Sequence, residues 1–287
     1  MSFLSKALTL DRRWIFLAIG IVVILFLLIP ITLPVDVTPE SQGVYDTIEA
    51  LPAGSPILVA WDFDPASKPE LEPMALAVMK HCFRRNLKVV AMGLWITGAP
   101  LIEQDINQVK ANGFQNKKYG EDYVNLGVKV GGYVVVNTMA QSIKDAFPTD
   151  YFQTPLEQLP MMQNLKTLRD FPVVISFSAG DPGIKDAWVP FAHQRYHCIV
   201  AGGCTAVSVS EFSPYLQTRQ LSGLLGGMRG AAEYEKLVDA KALATKGMNA
   251  QSFAHLMIIL FIVFGNVAFF LTRRKRVQGA EGSRVQG

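Results

Sequence analysis

The sequence predicts an α/β fold: a Rossmann-like, doubly wound, mostly parallel sheet, flanked by one transmembrane helix at each end. Two observations support this prediction. Short apolar runs, which suit strands buried on both faces, alternate with segments of helical periodicity. Two longer apolar segments lie near the two ends of the chain, and each is long enough to cross a bilayer.

The composition limits the classes of partner. The chain has 287 residues, of which half are hydrophobic and only 18% are charged. A net charge of +3 is too small to indicate a nucleic-acid-binding protein. We therefore expect the lipid bilayer as one partner, together with a protein partner or a second copy of the chain, and no nucleic acid.

The amino-terminal region is predicted to be a membrane anchor. Residues 1–13 are basic, and residues 14–33 carry no charged side chain over 20 positions. At ~1.5 Å per residue a helix of this length spans about 30 Å, the thickness of a bilayer core. No small-residue cleavage site follows, so the segment is interpreted as retained. Residues 34–54, rich in Pro, Thr and acids, form a connector with a short helix at 41–51.

Residues 55–247 are predicted to form the α/β domain. The first strand, residues 57–61, is an unbroken apolar run between Pro56 and Pro65, so it belongs at the centre of the sheet. Helix 70–86 follows, with apolar residues on one face. Strands at 88–92 and 123–128 enclose a helix at 99–112.

The second half of the domain continues this alternation. Helices are predicted at 139–147, 157–169 and 185–196, and strands at 172–177 and 198–201. Residues 205–209 suit a sixth strand or a hairpin partner. Residues 218–243 are predicted to be a long helical stretch, although four glycines interrupt it.

The carboxyl-terminal region contains the second predicted span. Residues 253–271 are apolar, and the tail at 272–287 begins with the basic run 273–276. The positive-inside rule places this run in the cytoplasm, and Arg12 and Arg13 place the amino terminus there too. The predicted location is therefore the inner (cytoplasmic) membrane, with two spans, both termini cytoplasmic and the α/β domain outside. In a Gram-negative cell the domain would be periplasmic.

Acidic residues follow the first and fourth predicted strands. Asp62 and Asp64 end the first strand as Asp-x-Asp, and Asp181 and Asp186 come after the strand at 172–177. This pattern resembles the motifs of haloacid-dehalogenase-type phosphatases. The resemblance implies an extracytoplasmic phosphohydrolase with Asp62, Asp64 and Asp181 as catalytic residues and Mg²⁺ as cofactor. Helix capping and loop chemistry explain the same acids without catalysis.

A glycine-rich segment lies before the second span, with Gly223, Gly226, Gly227 and Gly230 around Arg229. Close approach of two backbones is one reason for such a density of glycine. Binding of a phosphate by backbone N–H groups and Arg229 is the other. We favour packing, and expect these five residues to form a packing or binding surface.

The cysteines and histidines give no metal-binding spacing. Cys82, Cys198 and Cys204 are interpreted as buried thiols, with one disulfide left open. His193 and His197 would share one face of a helix, but no glutamate follows His193 to complete a zinc motif. The leading functional prediction is a non-catalytic scaffold or assembly protein without a cofactor, and the Mg²⁺-dependent phosphohydrolase is the alternative.

Overall fold

The computed structural model describes residues 11–29, 34–239 and 243–284. The chain divides into two compact units. One unit runs from Pro34 to Thr245, and the other contains the described residues on either side of it. The first of these units corresponds to the predicted connector and α/β domain.

A parallel six-stranded sheet forms the centre of the Pro34–Thr245 unit, which confirms the predicted α/β class. The strands lie in the order β3-β2-β1-β4-β5-β6, and every neighbouring pair is parallel. Their bounds are β1 Pro56–Asp62, β2 Lys88–Gly93, β3 Tyr123–Val128, β4 Val173–Ser178, β5 Ile199–Cys204 and β6 Leu224–Gly226. Strand β1 is therefore central, between β2 and β4.

Helices cover both faces of the sheet. The helices of this unit are α2 Pro39–Glu49, α3 Lys68–Arg84, α4 Ala99–Ala111, α5 Tyr133–Gln141, α6 Ile143–Ala146, a π-helix Ile184–Arg195, α7 Val209–Gln217 and α8 Gly227–Leu237. Alternate residues of β1 face opposite layers, as the pleat requires. Leu58 and Ala60 join the apolar cluster formed with α5, α6, the π-helix and α7, whereas Trp61 contacts α4.

The predicted helix at 157–169 is wrong. Three short 3-10 turns occupy this stretch, Leu156–Gln158, Pro160–Asn164 and Leu168–Asp170. Pro160 interrupts any continuous helix, since it lacks an N–H donor and clashes with the preceding turn. Leu159 and Leu165 also insert into the core, so burial of irregularly spaced side chains overrides the helical propensity of the segment.

The long helix predicted at 218–243 is also wrong. Strand β6 runs from Leu224 to Gly226, and α8 begins only at Gly227, whose φ of +56° turns the chain between them. Residues 240–242 lie outside the described residues. The segment at 205–209 is neither a strand nor a hairpin partner, because a 3-10 turn at Ala206–Ser208 leads directly into α7.

One helix among the described residues is long and apolar enough to cross a membrane. It covers Ala244–Leu271 within helix α9, Leu243–Arg284, and includes the predicted span at 253–271. The other predicted span, residues 14–33, overlaps helix α1, Arg12–Leu28, which has 17 residues. Residues 30–33 lie outside the described residues, so the structure establishes one candidate span and leaves the second as a proposal.

Candidate functional site

The carboxyl ends of β1 and β4 form the first candidate site. The strand order reverses between these two neighbours, since the chain runs outward from β1 to β3 and returns beside β1 as β4. Ligands of open α/β sheets bind in the crevice at such a reversal. Asp62, the last residue of β1, lies at this position.

Three donors from three other segments hold the Asp62 carboxylate. Oδ1 accepts the Leu94 N–H at 2.8 Å, and Oδ2 accepts Ser176 Oγ at 2.7 Å and Trp188 Nε1 at 2.6 Å. The side chain is fully buried. Burial raises the pKa of Asp62 to about 6, although the three hydrogen bonds oppose that rise. The carboxylate thus ties β1 to the end of β2, to β4 and to the π-helix.

The other predicted catalytic acids make local contacts. Asp64 Oδ1 accepts the Ser67 N–H at 3.0 Å, and Asp181 pairs with Lys185 at 3.5 Å. Asp186 Oδ1 accepts the Gly183 N–H at 2.7 Å at the start of the π-helix. Within residues 11–29, 34–239 and 243–284, no three acidic, histidine or cysteine side chains are arranged to hold a metal ion.

Aromatic and apolar side chains fill the surface next to Asp62. Trp95 donates from Nε1 to the Pro182 carbonyl at 2.7 Å, and a methyl group on Gly180 would lie 3.7 Å from the Trp95 ring. Exposed apolar side chains follow the carboxyl ends of β2, β3 and β5, namely Ile96, Val130, Tyr133, Val134 and Val207. Several exposed side chains at this edge of the domain are therefore apolar, and Trp95 bridges the loops that follow β2 and β4.

The glycine-rich segment contains the second candidate site, and Gly223 lies against the backbone of α2. A methyl group on Gly223 would lie 2.3 Å from Val44 N and 2.6 Å from Glu40 O. The contact is reciprocal, because a methyl group on Gly43 would lie 2.3 Å from Ser222 O. Two backbones therefore approach each other here with no room for a side chain.

The other glycines of this segment also have close neighbours within the domain. A methyl group on Gly226 would lie 2.7 Å from a side-chain carbon of Val209. A methyl group on Gly227 would lie 2.7 Å from the Ala206 Cβ, and one on Gly230 would lie 2.7 Å from the Leu225 carbonyl carbon.

A carboxylate occupies the space beside Gly227 where a phosphate would be expected. Glu70 Oε2 accepts the Ala206 N–H at 2.8 Å and would lie 3.0 Å from a methyl group on Gly227. Arg229, the predicted anion ligand, donates from Nε to Glu233 Oε1 at 2.9 Å. The charges near the start of α8 are thus those of the protein's own side chains.

Helix α8 binds the amino-terminal connector through Glu233. The Thr38 N–H and the Thr38 hydroxyl donate to Glu233 Oε2 at 3.0 and 2.6 Å. Burial acts to raise the pKa of Glu233, but the hydrogen bonds from Thr38, Ser41 and Arg229 hold it below its ordinary value. The ionised carboxylate therefore fixes the start of α2 on α8.

The same helix binds the opposite end of the unit through Glu235, two residues further on. Glu235 Oε1 accepts the Ala244 N–H at 2.9 Å, and Oε2 accepts the Thr245 N–H at 2.9 Å and its hydroxyl at 2.7 Å. Lys236 Nζ donates to the Val35 carbonyl at 2.5 Å. The two residues that bind the two chain ends, Glu235 and Lys236, are adjacent in α8. Nothing in the sequence indicated this arrangement, because Lys236 and Val35 are 201 positions apart in the chain.

A buried histidine further fixes α8 on its neighbours. His81 of α3 lies 2.7 Å through Nδ1 from the Tyr234 hydroxyl and 2.8 Å through Nε2 from Glu49 Oε2. Its ring stacks on Tyr45 at 4.7 Å between centroids. Burial lowers the pKa of His81, although Glu49 opposes this. The cluster links α2, α3 and α8, and sequence reasoning had not singled it out.

The cysteines are free, buried thiols. Burial raises the pKa of Cys82 to about 12, that of Cys198 to about 11 and that of Cys204 to about 12, so the thiolate forms are disfavoured.

The expectation that His193 and His197 share one face of a helix is wrong. The π-helix ends at Arg195, and His197 has a φ of +62° in the turn that follows.

A buried carboxyl group lies on the opposite layer from Asp62. Asp105 of α4 accepts Trp61 Nε1 at 2.8 Å on Oδ2 and is fully buried. Burial raises the pKa of Asp105 to about 8, and the neighbouring Glu72 carboxylate adds to the rise. Asp105 is thus protonated at neutral pH.

We expect Asp105→Asn to remove a pH dependence of stability. The folded state holds the Asp105 proton between about pH 4 and 8, whereas the unfolded state releases it. Unfolding free energy should therefore fall as pH rises through this window, by at most about 1.4 kcal/mol per pH unit. An asparagine amide mimics the protonated carboxyl, so the variant should gain stability relative to the wild type as pH rises. Urea unfolding of the full chain in micelles from pH 5 to 9 measures this.

The exposed Asp46 of α2 supplies the control, since Asp46→Asn should leave the pH dependence of the wild type unchanged. The prediction would be contradicted if the unfolding free energies of Asp105→Asn and the wild type changed in parallel over the whole pH range.

The fold and these contacts define an α/β protein with a parallel six-stranded sheet and, among the residues that the structure describes, one helix that could span a membrane. No family model matches the chain, and neither a curated protein nor a solved structure matches it.

Proposed function

We propose that the chain is an integral membrane protein that presents an extracytoplasmic, non-catalytic α/β domain for partner or ligand interaction. The observation that carries this proposal is the convergence of both ends of the domain on α8. Lys236 holds Val35, and Glu235 holds Ala244 and Thr245. The domain is therefore tethered at one place by two chain segments, and each leads to an apolar helix.

The proposed topology has two spans with both termini in the cytoplasm. Helix α1 has 17 residues, about 26 Å of helix, and its predicted span continues into residues 30–33. Within the unit that contains both apolar helices, the rings of Phe26 and Phe253 stack at 3.5 Å between centroids. Basic residues at both outer ends of these helices support a cytoplasmic position for both.

A binding role rather than catalysis is supported by the state of Asp62. A carboxylate nucleophile must reach its substrate, but both Asp62 oxygens accept hydrogen bonds from buried groups and the side chain is fully buried. The exposed apolar residues at this edge, among them Ile96, Val130 and Val207, suit contact with a partner.

Cysteine labelling in intact cells tests the topology. Asn116→Cys, in the exposed loop between α4 and β3, should react with a membrane-impermeant maleimide added outside. Ser2→Cys and Ser283→Cys should react only after permeabilisation. The native thiols are buried, so the wild-type chain supplies the background. Labelling of a terminal cysteine in intact cells, or protection of Asn116→Cys there, would overturn the proposed topology.

Hydrolysis of p-nitrophenyl phosphate by the purified full chain tests the non-catalytic role, and we expect none above background. Mg²⁺-dependent hydrolysis that Asp62→Asn abolishes and Asp46→Asn preserves would overturn this role. It would favour the alternative phosphohydrolase with Asp62, Asp64 and Asp181 as its catalytic residues.

A further inference from the structure

Two polar side chains lie within the apolar part of helix α9. His255 and Asn266 belong to the stretch Ala244–Leu271, which is long and apolar enough to cross a membrane. Eleven positions separate them, which is about three helical turns, so they lie on the same face of α9 and about 16 Å apart along its axis. A polar side chain inside a bilayer is costly unless it forms hydrogen bonds, so a partner is expected for each.

Helix α1 does not supply that partner, although it lies in the same unit as most of α9. The ring of Phe26 in α1 stacks on Phe253, on the face of α9 opposite to His255 and Asn266. The side chains at least partly covered on that opposite face include Phe253, Met257, Phe261 and Ala268. His255 and Asn266 themselves are exposed, and residues 15–28 of α1 carry no polar side chain. A hydrogen-bonding partner within the bilayer is therefore expected from a helix of another molecule.

Apolar side chains join the two polar ones into a continuous surface. Ile259 and Ile262 follow His255 at helical spacing on the same face, and both are exposed. A β-branched side chain has one strongly preferred rotamer in a helix, so it loses little freedom when another helix packs against it. The surface formed by His255, Ile259, Ile262 and Asn266 is here called the Asn266 face. It suits contact with a second helix over about three turns.

The two polar groups can each pair with a copy of themselves. A side-chain amide has donors and an acceptor, and a neutral imidazole has one of each. The positive-inside rule gives every copy of the chain the same orientation, so two α9 helices in one membrane are parallel. A two-fold axis along the membrane normal then places each residue opposite its own copy at the same depth. One arrangement therefore satisfies both Asn266 and His255.

We propose that the chain forms a parallel dimer in the membrane, in which the Asn266 faces of two α9 helices pack together. Asn266 of each copy forms a hydrogen bond with Asn266 of the other. A buried asparagine at such a position specifies the register and the two-stranded state of a helix pair. This inference deepens the proposed interaction role and rests on it, because it requires α9 to cross a membrane.

Asn266 contributes more to this pairing than His255. Asn266 lies seven residues before Arg273, about 10 Å inside the boundary that this basic side chain marks. His255 lies near the opposite end of the predicted span, where water is available to its imidazole. The hydrogen bond between the two amides is therefore the one to test.

Cysteine cross-linking in membranes tests the proposed face. Ile262 and Leu260 are equally exposed, at 57% and 55%, but they lie about 160° apart around the helix. A disulfide requires Cβ atoms about 4 Å apart, so it forms only at a contact. When copper phenanthroline is added, Ile262→Cys should give a disulfide-linked dimer and Leu260→Cys should not. The native thiols are buried, so the wild-type chain supplies the background. Absence of the Ile262→Cys dimer, or equal cross-linking of both variants, would overturn the proposal.

Variants at position 266 test the hydrogen bond. The full chain is labelled with donor or acceptor dyes at Ser283→Cys and reconstituted in phosphatidylcholine vesicles, and energy transfer is measured over a range of protein-to-lipid ratios. Asn266→Leu removes the donor and the acceptor and should weaken dimerisation by about fivefold or more. Asn266→Gln keeps the amide and should stay within about twofold of the wild type. Unchanged dimerisation of Asn266→Leu would show that Asn266 does not join the two copies.

The remaining outcomes separate this proposal from the proposed function. A wild-type chain without energy transfer at any ratio is a monomer, and the dimer proposal is then wrong. If Ile262→Cys in cell membranes cross-links to a different protein and not to itself, the occupant is a partner span and the second-copy assignment is wrong. A monomeric chain whose termini are labelled only after permeabilisation would contradict the dimer alone. An α/β domain found in the cytoplasm while Ile262→Cys still forms dimers would contradict the topology alone.

Discussion

Asp62→Leu is expected to lower the unfolding free energy by about 4 kcal/mol at neutral pH. Leucine has the same number of side-chain heavy atoms but no acceptor, so the Leu94 N–H, the Ser176 hydroxyl and the Trp188 N–H lose their common partner. Each buried donor left without an acceptor costs about 1–3 kcal/mol, and the hydroxyl can rotate to recover part of its share. Urea unfolding of the full chain in micelles, followed by tryptophan fluorescence, measures the loss.

Asp64→Ala is the matched control, since Asp64 is only half-buried and accepts one hydrogen bond, from the Ser67 N–H. Its loss should cost about 1 kcal/mol or less. An Asp62→Leu protein as stable as the wild type would show that the Asp62 carboxylate does not join β1 to β2, β4 and the π-helix.

Gly223→Ala is expected to cost about 3 kcal/mol and to loosen α2 from β6. The added methyl group would lie 2.3 Å from Val44 N and 2.6 Å from Glu40 O, and both are backbone atoms that cannot rotate away. Helix α2 must therefore move as a body, and overpacking of this kind typically costs about 1–3 kcal/mol. The change is measured by urea unfolding, and hydrogen exchange of the α2 amides reports the local loosening.

Gly180→Ala tests whether the cost comes from the contact rather than from the loss of glycine itself. A methyl group there would lie 3.7 Å from the Trp95 ring, an ordinary contact distance, so the change should be within about 0.5 kcal/mol. Equal effects of Gly223→Ala and Gly180→Ala would show that α2 does not lie against the start of β6.

The five apolar strands β1 to β5 were predictable because each is a short run without polar alternation, which only a sheet covered on both faces can bury. The predicted bounds of β3 agree with the observed Tyr123–Val128. Strand β6 was missed because three residues are too few for a pattern and the glycines around it resemble a weak helix. The 3-10 turns between residues 156 and 170 were missed because burial rather than propensity decided them.

The candidate sites were less predictable than the fold. Asp62 was singled out because an acid follows a buried strand, but its surroundings come from far along the chain. Leu94, Ser176 and Trp188 are separated from it by 32, 114 and 126 positions. The glycines indicated close packing, but the partner of Gly223 was not evident, since α2 lies about 180 positions earlier.

The sequence by itself therefore determined the α/β class, the order of most elements and the presence of a long apolar segment near each end of the chain. These properties follow from local periodicity, which a single segment expresses on its own. Only the tertiary structure decided that Asp62 is buried among three donors, that Glu235 and Lys236 of α8 bind both ends of the domain, and that Gly223 lies against α2. Each depends on which strands and helices become neighbours, and the strand order 3-2-1-4-5-6 brings together residues that no local pattern connects.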